Sequence, residues 1–267
     1  MTQLSNDNIR KAVREQYGKV AESGNSGCGC SATSCCDEAG PDSKITSMEL
    51  GYSNADVNEV PDGANMGLGC GNPKAIASLK SGETVLDLGS GGGFDSFLAV
   101  KEIGESGQVI GVDMTPEMVS KARQNSDIAG YDNVDFRLGE IENLPVADSI
   151  VDVIISNCVI NLSPEKAKVF QESFRVLKPG GRLAISDVVA TAELPEKIKS
   201  DMALLTGCVS GASSITDIES MLKDAGFDRI EIKPKDESKE FIQNWAPDSK
   251  IEDYVASATI EAIKPKA

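Results

Sequence analysis

Short apolar runs alternate along the chain with segments in which apolar residues recur at helical spacing. This pattern predicts strands that alternate with helices. Short apolar runs such as 84–88 and 109–113 are typical of buried strands. Between them, apolar residues recur three and four positions apart, as on one face of a helix. Strands buried on both sides and separated by helices favour a mainly parallel sheet covered on both faces. The predicted strands are 84–88, 109–113, 134–138, 151–156 and 183–188, and the predicted helices are 94–102, 115–129 and 164–177.

The beginning of the chain departs from this alternation. Residues 5–22 place apolar side chains on one helical face, with Ser5 in the N-cap position. Residues 23–44 are rich in Ser, Gly and Cys and have no hydrophobic period, so they are predicted to form a loop or tether. The pair Asn72-Pro73 predicts an N-cap and first turn for a short helix that ends near Leu79.

The end of the chain also differs, because its predicted strands no longer alternate regularly with helices. A helix at 215–225 precedes strands at 230–232 and 254–263, which indicates an antiparallel edge to the sheet. We expect three parts: an N-terminal helix with a Cys-rich segment at 1–44, a core at 45–190, and a small C-terminal α+β region at 191–267.

The charge of the chain narrows the range of partners. Its 42 acidic and 26 basic residues give a formal net charge of −16. An acidic protein without a Lys/Arg cluster repels phosphate groups, so nucleic acid and anionic membranes are not expected partners. The polar start of the chain lacks the apolar core of a signal peptide, and no apolar run approaches the roughly 18 residues that span a bilayer. The expected location is cytoplasmic.

Seven cysteines and no histidine restrict the chemistry further. The odd number of cysteines argues against the disulfide framework of a secreted protein. The absence of histidine excludes Ser-His-Asp and Cys-His catalysis, together with zinc sites of mixed Cys/His type.

A glycine-rich loop follows the first predicted strand of the core. The loop after this strand contains Gly89, Gly91 and Gly93, and Asp87 is the second-last residue of the strand. Such glycines allow the backbone to turn sharply and to approach a ligand closely. The alternative is a dinucleotide-binding loop, which requires glycine at the first, third and sixth positions. Phe94 occupies the sixth position here, so that pattern fails.

The loop resembles the S-adenosylmethionine loop of class I methyltransferases. Asp113 ends the second strand, where an acid can accept both ribose hydroxyls, and 139–142 follows the third strand, where members of the family hold adenine. Residues 174–181 resemble the helix-to-strand turn of the same fold. The resemblance implies a Rossmann-like α/β fold, with a mainly parallel sheet and an antiparallel edge, and S-adenosylmethionine as cofactor. The cofactor-binding residues that it implies are Asp87, Gly89, Ser90, Gly91, Gly93, Asp113, Met114, Glu140, Ile141 and Asn157.

Three cysteines narrow the resemblance to a smaller group within the class I methyltransferases. Cys70 lies between glycines, Cys158 follows the fourth strand within the run 156–162, and Cys208 follows Gly207. Together these segments resemble arsenite S-adenosylmethionine methyltransferases, and the resemblance covers nearly the whole chain. It implies that Cys70, Cys158 and Cys208 are catalytic residues and ligands of trivalent arsenic. The family is usually described with one cysteine further upstream, a role that carries over to Cys36 or, less readily, to Cys35.

The chemistry of arsenic agrees with this resemblance. Trivalent arsenic is soft and prefers thiolates, and it binds three of them in a pyramid with a lone pair at the apex. That lone pair can attack a sulfonium methyl group without losing a proton, so no general base is needed. For each cysteine taken alone, the alternative is a small hydrophobic residue of the core.

The cluster formed by Cys28, Cys30, Cys35 and Cys36 allows several interpretations. The interpretations are a fourth arsenic ligand and redox partner, a capture site for the metalloid, a zinc or copper site, or a segment whose thiols only oxidise. We favour the redox partner. Methyl transfer raises arsenic to the pentavalent state, and a thiol pair can return the two electrons by closing a disulfide. An external thiol such as thioredoxin or glutathione would then restore the pair.

Two other functions remain open at this point. A C- or O-methyltransferase acting on a quinone or a sterol-like acceptor would use the same cofactor loop, but it leaves the three cysteines unexplained. A metalloid-binding protein or sensor on a retired methyltransferase fold would explain the cysteines, but the intact glycine loop and Asp113 argue against retirement. The interpretation that accounts for both features is methylation of arsenite in arsenic detoxification.

Overall fold

The computed structural model of the chain describes residues 5–23, 43–199, 201–247 and 249–266. The strands are β1 Thr84–Leu88, β2 Gln108–Asp113, β3 Val134–Leu138, β4 Val151–Asn157, β5 Leu177–Ala190, β6 Asp228–Pro234 and β7 Val255–Ile263. The helices are α1 Asn6–Ser23, α2 Ser43–Glu49, α3 Asn54–Asn58, α4 Lys74–Ala77, α5 Phe94–Ile103, α6 Pro116–Ala129, α7 Lys166–Val176, α8 Glu196–Lys199, α9 Met202–Thr206, α10 Ile215–Ala225 and α11 Lys239–Ile242. Short 3₁₀ turns occur at Ile160–Leu162, Asp236–Ser238 and Ile251–Asp253.

The seven strands form one sheet in the order β3-β2-β1-β4-β5-β7-β6. Neighbouring strands from β3 to β5 are parallel, whereas β7 runs antiparallel to both β5 and β6. The predicted α/β class, the mainly parallel sheet and its antiparallel edge are therefore confirmed. Because β1, β2 and β4 are parallel, the loops that follow them emerge at the same edge of the sheet. That edge brings the glycine loop, Asp113 and Cys158 into one region.

The beginning of β5 differs from the prediction. The proline and glycines at 178–181 indicated a turn before a strand at 183, but β5 already starts at Leu177. Gly180 N donates to Lys264 O at 2.8 Å, and Lys264 N donates to Gly181 O at 2.9 Å. The segment after β7 thus supplies the hydrogen-bond partners that bring these residues into the sheet, and local turn propensity does not reveal such a partner.

The helix predicted after Asn72-Pro73 is shorter than expected. It is α4, which ends at Ala77 because Ser78 adopts the left-handed conformation, with φ of 47°. Asn72 Oδ1 still accepts a hydrogen bond from Ala75 N at 3.1 Å, as its position as a cap predicts. The short helices α8, α9 and α11 of the C-terminal region were not predicted, because each is less than two turns long.

The remaining predicted helices and strands lie within a few residues of their expected bounds, and their apolar positions form the core. Leu86 and Ile154 of the sheet and Phe170 of α7 are almost completely buried within one cluster. On the other face, Phe97 of α5 packs against Phe136 with ring centroids 5.7 Å apart. Within the part of the chain that the structure describes, no helix has the length and apolar character needed to cross a membrane.

The N-cap of α10 offers a test of how local structure contributes to stability. Ser214 Oγ accepts from Asp217 N at 3.1 Å, so Ser214→Ala removes one partner of the exposed helix end. We expect the variant to lose about 1 kcal/mol of unfolding free energy and roughly 2–4 °C of Tm in a thermal melt. Ser214→Asp restores a capping oxygen and should melt within about 1 °C of the original protein. Equal losses in both variants would contradict the capping explanation.

Candidate cofactor and cysteine site

A cavity of about 520 Å³ opens at the sheet edge where β1, β2 and β4 end. Two groups of predicted residues line it: the cofactor loop and the cysteine-bearing segments. α1 and the segment around α11 contribute the remaining walls. The predicted residues on the cavity surface are Asp87, Gly89, Ser90, Gly91, Asp113, Met114, Ile141, Asn157, Cys158 and Cys208.

Asp113 is fixed by the backbone on both sides. Its Oδ2 accepts from Gly91 N at 3.0 Å and its Oδ1 accepts from Thr115 N at 2.8 Å. Burial raises the pKa of this carboxyl, although the backbone hydrogen bonds act in the opposite direction. Each oxygen keeps a further lone pair, so the carboxylate can accept a pair of neighbouring hydroxyl groups of a bound molecule.

The glycine loop is shaped for a close approach of a polar ligand. Gly89 has φ of 68°, and a Cβ at this position would lie 2.5 Å from Val159 Cγ2. The adjacent Ser90 Oγ is buried and has no hydrogen-bond partner among the described residues. A buried hydroxyl of this kind is normally satisfied by a ligand or by water. The loop therefore fits a molecule that has hydroxyl and amine groups, such as S-adenosylmethionine.

Two of the predicted cofactor-binding residues, Gly93 and Glu140, do not line the cavity. Gly93 begins α5 with φ of 95°, and its Cβ direction meets Phe97 at 2.6 Å rather than the cavity. Glu140 points to α1, where its Oε2 lies 3.5 Å from Arg10 Nε. Neither residue lines the cavity, whereas Ile141 and Glu142 next to Glu140 do.

α1 closes one side of the cavity and is held there by Arg10. Arg10 Nη2 lies 3.0 Å from Glu142 Oε1 and 2.7 Å from Glu165 Oε2. The Glu142 side chain is only 7% exposed, so loss of Arg10 would leave a nearly buried charge without its partner. Further along α1, Tyr17 Oη donates to Thr206 O at 3.1 Å. The sequence predicted the helix but not these contacts, which join residues more than 100 positions apart.

A second polar network joins the cofactor side of the cavity to the first cysteine loop. Tyr52 Oη donates to Asp95 Oδ1 at 2.6 Å, and Asn157 Nδ2 donates to Tyr52 Oη at 3.0 Å. On its other side, Asn157 Oδ1 accepts from Cys70 N at 3.0 Å. Gly69 permits this approach, because a Cβ there would lie 2.7 Å from Asn157 Nδ2. Asn157 therefore aligns the Cys70 loop with the end of β4, besides facing the cavity.

The structure brings Cys70, Cys158 and Cys208 together, although the first and last are 138 positions apart (208 − 70). All three are free and buried and belong to one apolar cluster, in which the sulfur atoms of Cys70 and Cys158 lie within 4.8 Å of each other. Cys208 Sγ also donates to Cys158 O at 2.8 Å. Cys158 and Cys208 face the cavity, while Cys70 lies behind Cys158 and is 1% exposed.

Cys158 and Cys208 share an unusual backbone conformation. Their φ angles are 58° and 65°, in the left-handed region that residues with a Cβ rarely adopt. Such a conformation costs of order 1 kcal/mol or more at each residue, and it persists where surrounding contacts fix it. Cys158 N donates to Ser186 O at 2.8 Å, which is one of those contacts. Both residues line the cavity in this conformation.

The thiols of Cys70 and Cys158 keep their protons when nothing is bound to them. Burial raises the pKa of Cys70, and hydrogen bonding with Cys208 and Cys70 raises the pKa of Cys158 well above its ordinary value. A ligand that binds here must therefore displace protons. Cys36, and with it Cys28, Cys30 and Cys35, lies outside the described residues, so its predicted role stays a prediction.

Asp187 of β5 is a buried carboxylate beside this cluster. Its side-chain oxygen and the sulfur atoms of Cys70 and Cys158 all lie within 4.8 Å of one another. Burial raises its pKa to about 6, while hydrogen bonds from Val188 N at 2.7 Å and Ile160 N at 3.0 Å favour the charged form. Sequence reasoning missed it, although a carboxylate inside the apolar run 183–189 is a visible signal.

Two aromatic side chains also line the cavity. Phe241 and Trp245 have ring centroids 5.6 Å apart and belong to the same apolar cluster as the three cysteines. Aromatic side chains can pack against each other or form the wall of a binding site. The structure shows both roles at once, because these rings pack against each other and form part of the cavity wall.

The buried carboxyls predict how stability depends on pH. Burial raises the pKa of both Asp95 and Asp187 from 3.8 to about 6, so between these values the folded chain holds more protons than the unfolded chain. Their stabilising effect is complete below pH 3.8 and is lost as the pH rises through 6. We expect the unfolding free energy to fall by about 1 kcal/mol per group between pH 5 and 7, as urea titrations would measure.

The variant Asp95→Asn tests whether ionisation of a buried carboxyl causes this fall in the unfolding free energy. An amide cannot ionise, so the variant should show a smaller decrease, while Asp113 and Asp187, whose pKa burial also raises, keep their contributions. The chain has no histidine to titrate in the same window. Carboxyls whose pKa is lowered, such as Glu83 beside Arg182, change their charge at lower pH. An unfolding free energy that rises from pH 5 to 7 would contradict the prediction.

Known proteins resemble this chain over most of its length. The arsenite methyltransferase of Halobacterium salinarum is 54% identical over 98% of this chain and 71% of its own length. That of Aquipseudomonas alcaligenes is 37% identical over 82% of this chain, which spans 62% of that relative, less than two thirds. The crystal structure of an arsenic(III) S-adenosylmethionine methyltransferase from Chlamydomonas reinhardtii has a TM-score of 0.60 and 34% identity, covering 86% of this chain and 75% of that one.

The order of the strands and the cavity at their carboxyl ends define a class I methyltransferase that uses S-adenosylmethionine. A family model described as a methyltransferase domain matches residues 79–226, which include the glycine loop and Asp113. Within this class, the chain belongs to the arsenite methyltransferase family.

Proposed function

We propose that this chain transfers a methyl group from S-adenosylmethionine to trivalent arsenic, and that Cys70, Cys158 and Cys208 hold the arsenic during transfer. One observation carries the proposal: three free thiols from distant parts of the chain form a buried cluster beside the cavity that the glycine loop and Asp113 border. A methyltransferase for an organic acceptor gains nothing from this arrangement.

The thiol cluster suits trivalent arsenic because the ion is soft and binds three thiolates. Arsenite has three exchangeable hydroxyl positions, and each thiol replaces one of them with loss of water. The proton that the thiol loses leaves in that water molecule, so a protonated resting state of Cys158 does not prevent binding. The contact of Cys158 with both other cysteines places it at the centre of the set.

S-adenosylmethionine supplies an electrophilic methyl group on a positive sulfonium when it is bound. Asp113 would accept its ribose hydroxyls, and Ser90 Oγ offers a buried donor and acceptor that the protein leaves without a partner. Asp87 and Asp95 are further acidic groups of the cavity wall and favour a cationic ligand. α1, held by Arg10, limits the access of water.

The protein's own contribution is mainly alignment. Asn157 positions the Cys70 loop, and the left-handed backbone of Cys158 and Cys208 directs both thiols into one cluster. Fixed geometry of this kind can lower a barrier by up to about 7–11 kcal/mol. Arsenic donates its own lone pair to the new As–C bond, so the chain needs no general base, in agreement with the absence of histidine.

Regeneration of the trivalent state is the second half of the proposal. Formation of the As–C bond raises arsenic formally to the pentavalent state, and reduction takes two electrons. A pair of thiols in the Cys28–Cys36 segment, with Cys36 as one member, would supply them by closing a disulfide. An external thiol of the thioredoxin or glutathione type would reopen it. This cycle, and a role in arsenic detoxification, require a reducing location such as the cytoplasm.

The test is release of S-adenosylhomocysteine from the purified chain, S-adenosylmethionine and a thiol reductant, with and without arsenite. We expect release only when arsenite is present, together with a methylated arsenical detected by mass spectrometry. No release in either case, from a chain that binds the cofactor but not arsenite, would point to an organic acceptor. Binding of arsenite without any release, in a chain that still binds the cofactor, would indicate a metalloid-binding protein and overturn the proposal.

A further inference from the structure

Asp187 has no role in the chemistry of arsenic, yet it lies among the arsenic ligands. Asp187 is 2% exposed. One of its carboxylate oxygens and the sulfur atoms of Cys70 and Cys158 all lie within 4.8 Å of one another. Trivalent arsenic takes three thiolates and needs no oxygen ligand. Val188 N, Ile160 N and Asn161 Nδ2 donate to this carboxylate, which leaves about one of its roughly four lone-pair sites for a further ligand. Its place in the cluster therefore raises the question of what else binds there.

The spacing of these three groups suits a small divalent cation. Zinc binds thiolate sulfur at about 2.3 Å and carboxylate oxygen at about 2.0–2.2 Å in a tetrahedron, which places neighbouring donors roughly 3.5–3.8 Å apart. Mutual distances below 4.8 Å allow the donors to close around such an ion after a shift of about an ångström. Two sulfur donors and one oxygen match the borderline softness of zinc and cadmium.

The charges near the cluster are also compatible with a divalent ion. Two thiolates and one carboxylate carry three negative charges, and a divalent ion cancels two of them. Lys166, which is half-buried, interacts electrostatically with Asp187 and can cancel the third. Arsenic(III) with three thiolates is neutral by itself and leaves the Asp187 and Lys166 charges to balance each other. The two ligands thus need different residues: Cys208 serves arsenic, and Asp187 serves the divalent ion.

We propose that Cys70, Cys158 and Asp187 form a second binding site, for a thiophilic divalent cation of the zinc type, which overlaps the arsenic site. Binding is a coordination step without electron transfer: two thiols become thiolates and release two protons to solvent. Cys208 is not a ligand of this ion and keeps its hydrogen bond to Cys158 O. Because both ligands use Cys70 and Cys158, a bound cation excludes arsenic. The existence of the site is independent of the proposed function, and only this competition rests on it.

Cobalt(II) is the probe for the site, because its thiolate complexes absorb in the near ultraviolet. The titration uses the reduced full chain without arsenite or S-adenosylmethionine, in a background where Cys28, Cys30, Cys35 and Cys36 are replaced by Ser. We expect a thiolate-to-cobalt band that zinc abolishes. Absence of the band would overturn the proposal, whatever the outcome of the arsenite assay.

Variants at single ligands assign the donors. Cys158→Ser should abolish the cobalt band, and Asp187→Asn should weaken cobalt binding by at least about tenfold. Cys208→Ser is the matched cysteine control and should bind cobalt within about threefold of the background protein. If Cys208→Ser abolishes the band and Asp187→Asn leaves the affinity unchanged, the ion is held by three thiolates and the proposed donor set is wrong.

A measurement on the background protein itself covers the case in which Asp187→Asn fails to fold. X-ray absorption at the zinc edge counts sulfur and oxygen or nitrogen neighbours, and two sulfur atoms with oxygen ligands are expected. Three or more sulfur neighbours would overturn the assignment of Asp187. In an enzyme that methylates arsenite, zinc should inhibit competitively with arsenite, and a chelator should reverse the inhibition. Inhibition that is independent of the arsenite concentration would contradict the overlap of the two sites.

Discussion

Cys158→Ser is expected to release S-adenosylhomocysteine at less than about one hundredth of the original rate with arsenite as substrate. Cys158 Sγ lies within 4.8 Å of Cys70 Sγ, and Cys158 O accepts from Cys208 Sγ at 2.8 Å, so loss of Cys158 removes the centre of the ligand set. A serine hydroxyl is a hard ligand that soft arsenic does not prefer. The lone pair of arsenic would then no longer have a fixed direction. The measurement is the initial rate of arsenite-dependent release under saturating cofactor.

The other two cysteines extend this test into a graded series. Cys208→Ser should abolish transfer to arsenite and to monomethylarsonous acid alike. Cys70→Ser should abolish transfer to arsenite but retain transfer to monomethylarsonous acid, because that substrate offers only two exchangeable positions. Cys70 also lies behind Cys158, away from the cavity surface. Equal losses on both substrates for all three variants would argue against this division of roles.

Two controls separate loss of the ligand from loss of the fold. Calorimetry should show that each cysteine variant binds S-adenosylmethionine within about threefold of the original protein, since the cofactor residues are unchanged. Ser186→Ala removes a fully buried side-chain oxygen beside the cluster and should keep most of the activity. A Cys158→Ser enzyme that methylates arsenite at the original rate would refute the ligand assignment.

Asp113→Ala should weaken S-adenosylmethionine binding by about 10- to 100-fold, since hydrogen bonds to a charged group contribute about 1.5–3 kcal/mol. Both oxygens of Asp113 are fixed by backbone N–H groups, so the carboxylate is preorganised for a pair of hydroxyls. Its loss also leaves Gly91 N and Thr115 N without their acceptor. Isothermal titration calorimetry measures the dissociation constant directly.

The matched control is Asp135→Ala on the neighbouring strand β3. Asp135 pairs with Arg137 at 2.7 Å, its side chain is 47% exposed, and it does not line the cavity. This variant should bind the cofactor as the original protein does, within about twofold. If both variants weaken binding equally, the effect comes from the charge of the protein as a whole and not from Asp113.

Features that depend on neighbouring residues in sequence were predicted well. The strands and helices of the core follow from hydrophobic periodicity, and the glycine loop follows from the conformations that only glycine adopts readily. The α/β class and the antiparallel edge were read from the order of these elements and are confirmed. Where a distant segment supplies hydrogen bonds, as Lys264 does for the start of β5, the prediction was wrong by several residues.

The sequence by itself determined which chemical groups the protein has: a cofactor loop, an acid at the end of β2, and cysteines in place of histidine. These features depend on residue types within short segments, so they can be recognised without knowing the contacts between distant parts of the chain. Only the tertiary structure decided which groups meet. It placed Gly93 and Glu140 away from the cavity, and it brought Asp187 to the cysteines. Contacts between distant segments depend on how strands register and how loops close, which no local pattern of residues encodes.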